Sequence, residues 1–562
     1  MGYKRAMSVA IHYSAIRAPQ DSKTIYGLQI AVEDWLRAHF RYGQTDCFSF
    51  LVGDAQSRDE VLALAASCGV DQDRLSFPDA RFPRENCGAF STIFRPDLDP
   101  HDLFWQRALL KQPGFSFCGL AHAVAGFDGG AILNKYVHGP SGAGDAIICP
   151  SRAIRSVVER FFDIAGETVA RRFNGAFKSE IALPVIPLGI DTSRIEARVS
   201  PEKRKAQREA LALAEDEVAI LWVGRLSAAI KAHPLPMFRA AEEAAKRTGK
   251  KIRLLMLGYF VPEEAARDFE ALAQDICKTA RVTFVAHNDP RFPEGLWAAG
   301  DVFLSLIDSV QESFGLTPIE AIAAGLPRVV SDWDGYRDHV RHGEDGFLIP
   351  TIQPPTGTGA ELSQLFLGGR EMYGGALAKT ALSIAVDHEA AAAALVALIE
   401  NPDRARKLAE KAKARLETYA WKNIIPAYEN LWSENAARRR AAEIDPRPWP
   451  AVPPEAPDVF TLYESFPSQI LKNETRLRVA ATKAEIKSLW SHGINVLAAD
   501  LMIAPDAITT LINRIAAQKT LSVEDCKTAL PASDPARLYR TLTWLLKLGI
   551  LAKTNPGQKA EI

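Results

Sequence analysis

The chain has 562 residues, of which 47% are hydrophobic, 24% charged and 9% aromatic. These fractions are close to the globular average and argue against a disordered, collagenous or coiled-coil protein. The 67 Lys and Arg residues balance the 68 Asp and Glu residues to a net charge of −1, so no whole-chain field attracts nucleic acid or repels an anionic substrate. At roughly 150 residues per domain, the length predicts three to four domains.

The cysteines and the apolar runs indicate the cellular setting. Seven cysteines are present, an odd number with no CxxC pair, which argues against a disulfide framework and a zinc ribbon. No apolar run approaches the roughly 18 residues of a membrane-spanning helix. The basic start, Met1–Arg5, is followed by only a short apolar stretch, unlike a signal peptide. We therefore expect a cytoplasmic protein.

Apolar runs and amphipathic stretches alternate in the first third of the chain, 1–190. The predicted strands are Ser8–Tyr13, Asp145–Pro150 and Val185–Ile190. The predicted helices are Gly27–Phe40 and Arg152–Phe162, the second with Ser151 as its N-cap. This pattern predicts one Rossmann-like domain over residues 1–190.

The alternation restarts after a polar linker over residues 191–216. The predicted strands are Val218–Val223, Ile252–Leu257, Val282–Val285, Val302–Leu306, Arg328–Ser331 and Gly346–Ile349. The predicted helices are Leu235–Arg247, Glu263–Thr279, Gly295–Ala299, Thr317–Ala324, Glu389–Ile399 and Pro402–Tyr419. Alternating strands and helices imply parallel sheets covered on both faces. We therefore predict an α/β protein with a second doubly wound domain over 217–435 and ligands in the cleft between the two domains.

Three further segments differ in composition. Residues 354–381 are rich in Gly and Pro and predict an irregular insertion, which we interpret as a lid. Residues 445–457 hold six prolines and predict a semi-rigid spacer. Residues 458–562 predict a mostly helical accessory domain.

Two interpretations of the accessory domain stay open. The helices Ser522–Leu530 and Ala536–Leu548 could form a winged-helix-like module in which Arg537 and Arg540 touch phosphates. Residues 468–562 carry only 13 Lys and Arg against 8 Asp and Glu, and nucleic-acid binders usually have a stronger basic footprint. We therefore prefer a helical domain for oligomerisation or docking and expect no nucleic-acid partner.

The most informative stretch for chemistry is Gln311–Pro327, QESFGLTPIEAIAAGLP. Glu312 lies in a loop, and Glu320 lies eight residues later in the first turn of a predicted helix. Each carboxylate can accept hydrogen bonds from sugar hydroxyls, and free amides at a helix start suit a diphosphate. Glu in a first turn also occurs for capping alone, but the pattern directly after a buried strand favours a functional site.

A second element, WVGRLSAAIK, covers Trp222–Lys231. Gly224 ends a predicted strand, and Arg225 and Lys231 follow in the loop. Two cations at a strand end can neutralise a departing diphosphate. Two solvated loop cations are the alternative, but the glutamate pair in the same half favours the functional interpretation.

The C-terminal half resembles retaining glycosyltransferases of the GT-B type, specifically glycosyltransferase family 4. Two motifs carry the resemblance: Gly224-Arg225-Leu226…Lys231 and Glu312-Ser313-Phe314-Gly315-Leu316…Glu320-Ala321…Ala323…Gly325…Pro327. Weaker matches are the stretches at 145–151, 186–191, 296–306 and 332–338. The family has five positions from Arg to Lys where this chain has six, so residues 227–230 must bulge for Lys231 to reach the same phosphate.

The resemblance implies roles for the matched residues. Arg225 and Lys231 would hold the donor diphosphate, Glu320 the ribose hydroxyls and Glu312 the donor sugar. The implied donor-binding set is Gly224, Phe314, Gly315, Leu316, Thr317 and Glu320. His122 is the candidate for a histidine near the reacting centre, with a purely structural histidine as an equal alternative.

The resemblance implies a metal-independent retaining transfer from a nucleotide-diphosphate sugar to a glycan, lipid-linked or other hydroxyl acceptor. The expected co-substrate is a UDP- or GDP-sugar rather than an ADP-sugar, with no cofactor, and the expected location extends to the inner face of a membrane. Asp332 and Asp334 are interpreted as a solvated loop rather than a metal site. Arg438–Arg440 is interpreted as a solvated helix end, with peripheral membrane contact as the alternative.

Three other functions remain alternatives. A GT-B-shaped nucleotide-sugar epimerase would use the same fold. A two-carboxylate hydrolase would use Glu312 and Glu320 differently, although the neighbouring phosphate-binding groups argue against it. A binding or assembly protein would act through residues 458–562.

Overall fold

The computed structural model describes residues 8–14, 27–78, 89–108, 114–122, 124–125, 127–442 and 457–554. The chain divides into two compact units, Met1–Pro454 and Glu455–Ile562, and each is described by itself. The proline-rich spacer predicted over 445–457 lies outside the described residues except for Pro457, and so does the basic N-terminus.

The first sheet of the larger unit has six parallel strands in the order β3-β2-β1-β4-β5-β6. The strands are Val9–Tyr13 (β1), Phe48–Val52 (β2), Leu75–Ser76 (β3), Thr92–Arg95 (β4), Ser116–Leu120 (β5) and Ala146–Ile148 (β6). The α-helices around them are Gly27–Tyr42, Ala55–Ser67, Leu103–Ala108, Phe127–His138 and Arg152–Phe173. This sheet and its helices form the first lobe. Strands β2 to β5 were not predicted individually from the sequence.

The second sheet also has six parallel strands, in the order β12-β11-β10-β7-β8-β9. The strands are Val218–Val223 (β7), Ile252–Gly258 (β8), Arg281–Ala286 (β9), Val302–Ser305 (β10), Arg328–Ser331 (β11) and Phe347–Ile349 (β12). The helices are Leu235–Thr248, Ala265–Ile276, Thr317–Ala323, Tyr336–His339, His388–Ile399 and Pro402–Lys413, with a 3-10 turn at Leu416–Tyr419. This second lobe has the same strand order as the first, so two doubly wound lobes are confirmed.

Complete burial explains why the second sheet forms where the apolar runs predict it. Ala219, Ile220 and Leu221 of β7 have no exposed surface, and neither have Leu254 and Leu255 of β8. Strands of a parallel sheet covered by helices on both faces must be apolar on both faces. The continuous apolar runs in the sequence therefore indicate strands that are covered by helices on both faces.

The chain passes between the lobes twice, and the two crossovers lie side by side. Ile190 donates its N–H to the carbonyl of Tyr419 at 2.8 Å. Gly189 lies against the ring of Trp421, where an added Cβ would approach ring carbons to 2.4 Å. The helix Trp421–Ala441, called the crossover helix below, then returns to the first lobe, where Thr92 Oγ1 contacts the carbonyl of Trp432 at 3.3 Å.

The first crossover corrects one prediction. Val185–Ile190 is not a strand of either sheet: Val185 pairs singly with Cys149, and Ile190 pairs singly with Ala420. Its apolar side chains are needed because the segment passes from one core to the other. The linker that follows holds two helices, Thr192–Glu196 and Pro201–Ala210.

Two further predictions differ from the structure. Gly295–Ala299 forms turns rather than a short helix, and Gly295 has a positive φ of 79°. The segment 354–381 is not irregular throughout, because it contains the helices Ala360–Leu367 and Tyr373–Ala381. The antiparallel strands Thr351–Ile352 (β13) and Ala385–Val386 (β14) close its base. Its role as a lid stays a prediction.

The capped helix of the first lobe begins where the sequence places it. Ser151 is its N-cap and accepts a hydrogen bond from the N–H of Ile154 at 3.2 Å, as serine commonly does. The helix continues to Phe173, beyond the predicted end at Phe162.

The arginine cluster at the end of the crossover helix is only partly solvated. Arg438 and Arg440 are exposed, but Arg439 faces inward. Burial and the nearby Arg107 lower the pKa of Arg439 to about 10. The interpretation as one solvated helix end is therefore wrong for Arg439.

The smaller unit combines helices with a small sheet. Its antiparallel strands, in the order β16-β15-β17, are Arg476–Val479 (β15), Leu521–Ser522 (β16) and Leu551–Lys553 (β17). Its α-helices are Val459–Leu462, Lys483–Trp490, Pro505–Ala517, Val523–Ala529 and Pro535–Lys547. Arg537 donates to the carbonyls of Asp500 and Met502, and Arg540 donates to that of Leu501. Both arginines therefore hold the unit's own backbone, which does not favour the phosphate contacts considered above.

Among the described helices, none alone is long and apolar enough to cross a bilayer. One pair, Gly493–Leu501 and Pro505–Ala517, meets the length and composition criteria together but is bent by 104°.

The contact between Gly189 and Trp421 yields a stability prediction. Gly189→Ala should lower the free energy of unfolding by about 1–3 kcal/mol, because the added methyl group overlaps a ring that cannot move freely. Urea unfolding followed by tryptophan fluorescence measures the loss. Gly359→Ala is the matched control, since nothing lies within 4 Å of its added Cβ. Equal stability of the two variants would contradict the close packing of the crossovers.

Candidate active site

In both sheets the strand order reverses between two central neighbours, β1 and β4 in the first and β7 and β10 in the second. Chains leave such neighbours in opposite directions and open a crevice at their carboxyl ends, where ligands of doubly wound folds bind. The Gly224–Lys231 segment follows β7, and Glu312 follows β10. The topology therefore brings the two predicted motifs to one crevice.

Lys231 and Glu312 are hydrogen-bonded, Nζ to Oε2, and their side chains are only 15% and 14% exposed. Burial alone would raise the pKa of Glu312, but Lys231 and Arg225 outweigh it and hold that pKa below its usual range. Burial likewise opposes the charge of Lys231, but Glu312 raises its pKa overall. The pair is therefore ionised. Arg225 lies close enough to act on both, and within the described residues it has no ion pair.

The loop after β7 is folded so that Lys231 reaches this position. The N–H groups of Lys231 and Ala232 both donate to the carbonyl of Ser227 at 3.1 Å, which closes a turn over residues 227–232. Asp308, just after β10, accepts from the N–H of His233 at 3.2 Å. Burial raises the pKa of Asp308 to about 7. The loop is thus fixed at both ends by strand-end groups.

The loop Phe314–Thr317 rests on the segment 332–339. Gly315 has a φ of 85°, and an added Cβ would lie 2.1 Å from Cε1 of Tyr336. Gly335 is equally close to Phe314, whose Cα would lie 2.5 Å from an added Cβ. The Tyr336 hydroxyl is hydrogen-bonded to Ser305 Oγ at 3.0 Å. Gly315 is therefore required because its backbone lies against the ring of Tyr336. Gly335 is required because it lies against the backbone of Phe314.

The start of the next helix leaves amide donors free. The N–H groups of Ile319 and Glu320 donate to the carbonyl of Leu316 at 2.9 Å. Within the described part of the chain, the N–H groups of Gly315, Leu316 and Thr317 have no hydrogen-bond acceptor. The helix Thr317–Ala323 has only seven residues, so these local N–H groups matter more than its macrodipole.

Among the described residues, Glu320 takes no part in the hydrogen bond between Lys231 and Glu312, although Lys231 acts on its carboxylate electrostatically. Burial raises its pKa, while Arg194 and Arg198 of the linker oppose that rise. No hydrogen bond between described residues joins it to Glu312. The structure therefore brings Arg225, Lys231 and Glu312 together and places Glu320 beside the linker.

Asp334 is more buried than the sequence interpretation predicted. It has a φ of 45°, which is unusual for a non-glycine residue. Its Oδ1 is buried without a hydrogen-bond partner. Burial, reinforced by the charge of Glu312, raises its pKa to about 8. The expectation of a solvated loop is thus wrong for Asp334, while Asp332 pairs with Arg337 at the surface at 2.8 Å.

Across residues 8–14, 27–78, 89–108, 114–122, 124–125, 127–442 and 457–554, no three His, Cys, Asp or Glu side chains form a group that could hold a metal ion.

The crevice of the first sheet holds a polar cluster that the sequence did not predict. Arg95, at the end of β4, is hydrogen-bonded from Nη1 to Nδ1 of His12 on β1. Its Nε and Nη2 donate to Asp97 at 3.0 and 2.6 Å. Because arginine can only donate, Nδ1 of His12 accepts and Nε2 carries the proton. Burial lowers the pKa of His12 to about 3, so this imidazole is neutral.

His122 follows β5 at the same edge. Burial lowers its pKa to about 4, and its Nε2 is buried without a hydrogen-bond partner. Asp97 acts on it electrostatically. The structure thus places His122 with the first-lobe cluster, and no hydrogen bond of the described residues links it to Glu312.

The two lobes touch beside the second crevice. Ser151 Oγ donates to the carbonyl of Ser313 at 2.7 Å. Asp338 accepts from the N–H of Arg152 at 2.7 Å. The loop that carries Glu312 is therefore held by both lobes.

Residues 203–355 match the family model described as glycosyl transferases group 1. A D-inositol 3-phosphate glycosyltransferase of Rhodococcus erythropolis strain PR4 is 33% identical over 171 residues, 29% of this chain and 38% of that protein. One from Nocardia farcinica is 29% identical over 266 residues, 46% of this chain and 49% of that protein. The chain thus matches less than half the length of these relatives.

The fold has counterparts among solved structures. A glycosyltransferase from Rickettsia africae superposes with a TM-score of 0.50 at 11% identity, covering 77% of this chain and 99% of that one. At this identity the likeness concerns the fold alone, and it agrees with the two-lobed arrangement described above.

The contact of Gly315 with Tyr336 yields a prediction for the site. Gly315→Ala should lower the free energy of unfolding by about 1–3 kcal/mol, because the methyl group would displace the loop from Tyr336. Gly343→Ala is the matched control: it has a similar φ of 76° but nothing within 4 Å, so it isolates backbone strain. Urea unfolding of both variants measures the difference. Equal losses in both variants would refute the role of the contact.

Proposed function

We propose that this chain, whose residues 203–355 match the family model described as glycosyl transferases group 1, transfers a sugar from a nucleotide-diphosphate sugar to a hydroxyl acceptor. The observation that carries the proposal is the ionised Lys231–Glu312 pair beside Arg225 in the crevice of the second sheet. The two lobes agree with a GT-B glycosyltransferase fold.

The departing diphosphate sets the main electrostatic demand. In the proposed reaction the bond between the anomeric carbon and the diphosphate oxygen breaks, and the acceptor oxygen bonds to that carbon. The acceptor's proton leaves with the diphosphate, so atoms and charge balance. Arg225 and Lys231 would stabilise the charge that develops on the diphosphate, and preorganised cations of this kind supply much of the rate enhancement in enzymes.

The carboxylates and amides would position the donor. Glu312, held in its ionised form by Lys231, can accept hydrogen bonds from hydroxyls of the transferred sugar. Glu320 would accept from the ribose hydroxyls. The N–H groups of Gly315, Leu316 and Thr317 would donate to sugar and phosphate oxygens, with Phe314 and Gly224 shaping the loop and the strand end.

The first-lobe crevice would hold the acceptor. Its imidazoles, His12 and His122, have depressed pKa values of about 3 and 4, so both are neutral at physiological pH. Arg95 is paired with Asp97. Such a set of neutral donors and acceptors suits hydroxyl groups of a glycan or lipid-linked acceptor. Retention of the anomeric configuration and independence from metal are part of the proposal.

A donor panel tests the function. Purified protein is titrated with UDP-, GDP- and ADP-sugars with and without EDTA, and product configuration is read by NMR. We expect one nucleotide, UDP or GDP, to raise the melting temperature equally with and without EDTA. Glu320→Ala should lose at least tenfold in affinity for it.

The panel also separates the alternatives. Absence of any response to all three nucleotides would refute the transferase and favour a binding protein acting through 458–562. Interconversion of the free nucleotide-sugar without an acceptor would favour the epimerase. Release of free sugar as the sole product would favour the hydrolase.

The ion pair yields a second prediction. Glu312→Gln should leave UDP binding unchanged or up to tenfold tighter, because Lys231 loses its competing carboxylate partner. The rate of sugar transfer should fall at least 100-fold, because the hydroxyl groups of the transferred sugar lose the carboxylate that accepts their hydrogen bonds. Glu294→Gln is the control, since Glu294 forms an exposed ion pair with Lys203 in the same lobe. Loss of UDP binding in Glu312→Gln, to the extent seen in Lys231→Ala, would contradict this division of roles.

A further inference from the structure

A cavity of 230 Å³ lies where the two crossovers meet; we call it the hinge cavity. Three segments line it: the helix Gly27–Tyr42, the first crossover at 190–194 and the start of the crossover helix at 420–422. Its charged lining residues are Asp34, Arg37, Arg41, Asp191, Arg194 and Lys422. Four cations thus face two carboxylates, an excess of two positive charges in a chain whose overall charge is nearly zero.

Two of the cations are only loosely paired. Nη1 of Arg41 lies 3.6 Å from Oδ2 of Asp191. Nη2 of Arg194 lies 3.6 Å from Oδ2 of Asp34. These separations exceed hydrogen-bond distance, and within the described residues neither guanidinium donates a hydrogen bond. Asp191 already accepts from the hydroxyl of Ser193 at 2.6 Å. The N–H groups of both arginines are therefore available.

The other two cations are engaged elsewhere. Arg37 donates to Glu33 and to Ser67 at 2.7 to 3.1 Å. Lys422 forms an exposed ion pair with Glu417 at 2.8 Å. Arg41 and Arg194 are thus the groups with which the cavity would hold a ligand.

An unpaired buried donor supports the same conclusion. Trp421 lines the cavity and is only 5% exposed, and its indole N–H has no acceptor. Buried N–H groups are rarely left unpaired in proteins. The donors at this place are one buried indole N–H and two guanidinium groups whose side chains are 57% and 48% exposed to solvent. An anion with several oxygens would pair with the indole and replace water at the guanidinium groups.

The cavity is connected to the donor site through the linker. Asp191 caps the helix Thr192–Glu196, which packs against the helix Thr317–Ala323 that carries Glu320. Arg194 acts electrostatically on Glu320 and opposes the rise of its pKa. A charge bound at Arg194 would therefore change the environment of a proposed donor-binding residue and also brace the crossover.

We propose that the hinge cavity binds a small phosphate-bearing anion, either inorganic phosphate or a phosphate monoester, and thereby stabilises the junction of the two lobes. Arg41 and Arg194 bind the phosphate oxygens, and Asp34 opposes binding. The site is separate from the proposed donor site and does not depend on the transferase activity.

Thermal unfolding of the full chain at constant ionic strength tests the proposal, with inorganic phosphate replacing chloride. The titration is run with and without the nucleotide, UDP or GDP, that the donor panel identifies, so that phosphate binding at Arg225 and Lys231 is measured separately. Phosphate should raise the melting temperature, and Arg41→Gln should weaken the apparent affinity at least tenfold. Asp34→Asn should strengthen it two- to tenfold. Arg172→Gln, an exposed arginine of the first lobe, should leave it unchanged.

The proposal would be overturned if phosphate raised the melting temperature of Arg41→Gln as it does that of the unaltered chain. It would also be overturned if, without nucleotide, phosphate no longer raised the melting temperature of Lys231→Ala, because the phosphate would then bind at the proposed donor site. If Arg41→Gln fails to fold, Asp34→Asn decides, since weaker or unchanged phosphate binding in that variant also refutes the site. A parallel titration with glycerol phosphate distinguishes the ligand sources. If glycerol phosphate binds more tightly than inorganic phosphate, the ligand is a phosphate monoester. If it binds equally or more weakly, the ligand is the free phosphate ion.

Discussion

The pairing of the two crossovers is the constraint on which the rest of this molecule depends. Two sheets of identical strand order can form one site only if their carboxyl edges face each other, and nothing within either sheet imposes that orientation. The hydrogen bond from Ile190 to Tyr419 and the contact of Gly189 with Trp421 hold the two crossovers side by side and so restrict it. Because both passages between the lobes lie at one place, any change of the angle between the lobes must bend both segments together. The contact of Ser151 with Ser313 then holds the lobes together beside the proposed donor loop.

Within the second crevice, charge and burial are balanced against each other. A lysine and a glutamate with side chains about 15% exposed would each lose much of their hydration. They remain ionised because each compensates the other, whereas burial and the charge of Glu312 outweigh the effect of Arg337 on Asp334 and raise its pKa to about 8. The ion pair thus preserves the two charges that the proposed nucleotide-sugar donor would require, one for phosphate and one for hydroxyl groups. Binding of a diphosphate would exchange the partner of Lys231 rather than create a new buried charge.

The sequence predicted those features that depend on local pattern. The strand Val218–Val223 and the start of the helix at Arg152 are confirmed, because full burial and a serine cap leave local signatures. The crossover Val185–Ile190 resembled a strand because it is equally apolar, and no local signal reveals that its two pairing partners lie in different parts of the chain. The donor motif was recognisable because its residues follow one another closely. The contact of His12 with Arg95 was not, since it joins residues 83 positions apart and depends on β1 and β4 being neighbours.

The two crevices, although topologically equivalent, differ in charge. The second holds Arg225 without an ion pair among the described residues, together with Lys231, and is suited to a leaving group that carries charge. In the first, Arg95 is neutralised by Asp97, and burial keeps His12 uncharged. A group-transfer enzyme with a charged leaving group and an uncharged nucleophile needs this asymmetry, because a second set of free cations would bind the diphosphate in the wrong lobe. Identical topology therefore provides two equivalent positions, and the residues at the strand ends decide which of them can receive the diphosphate.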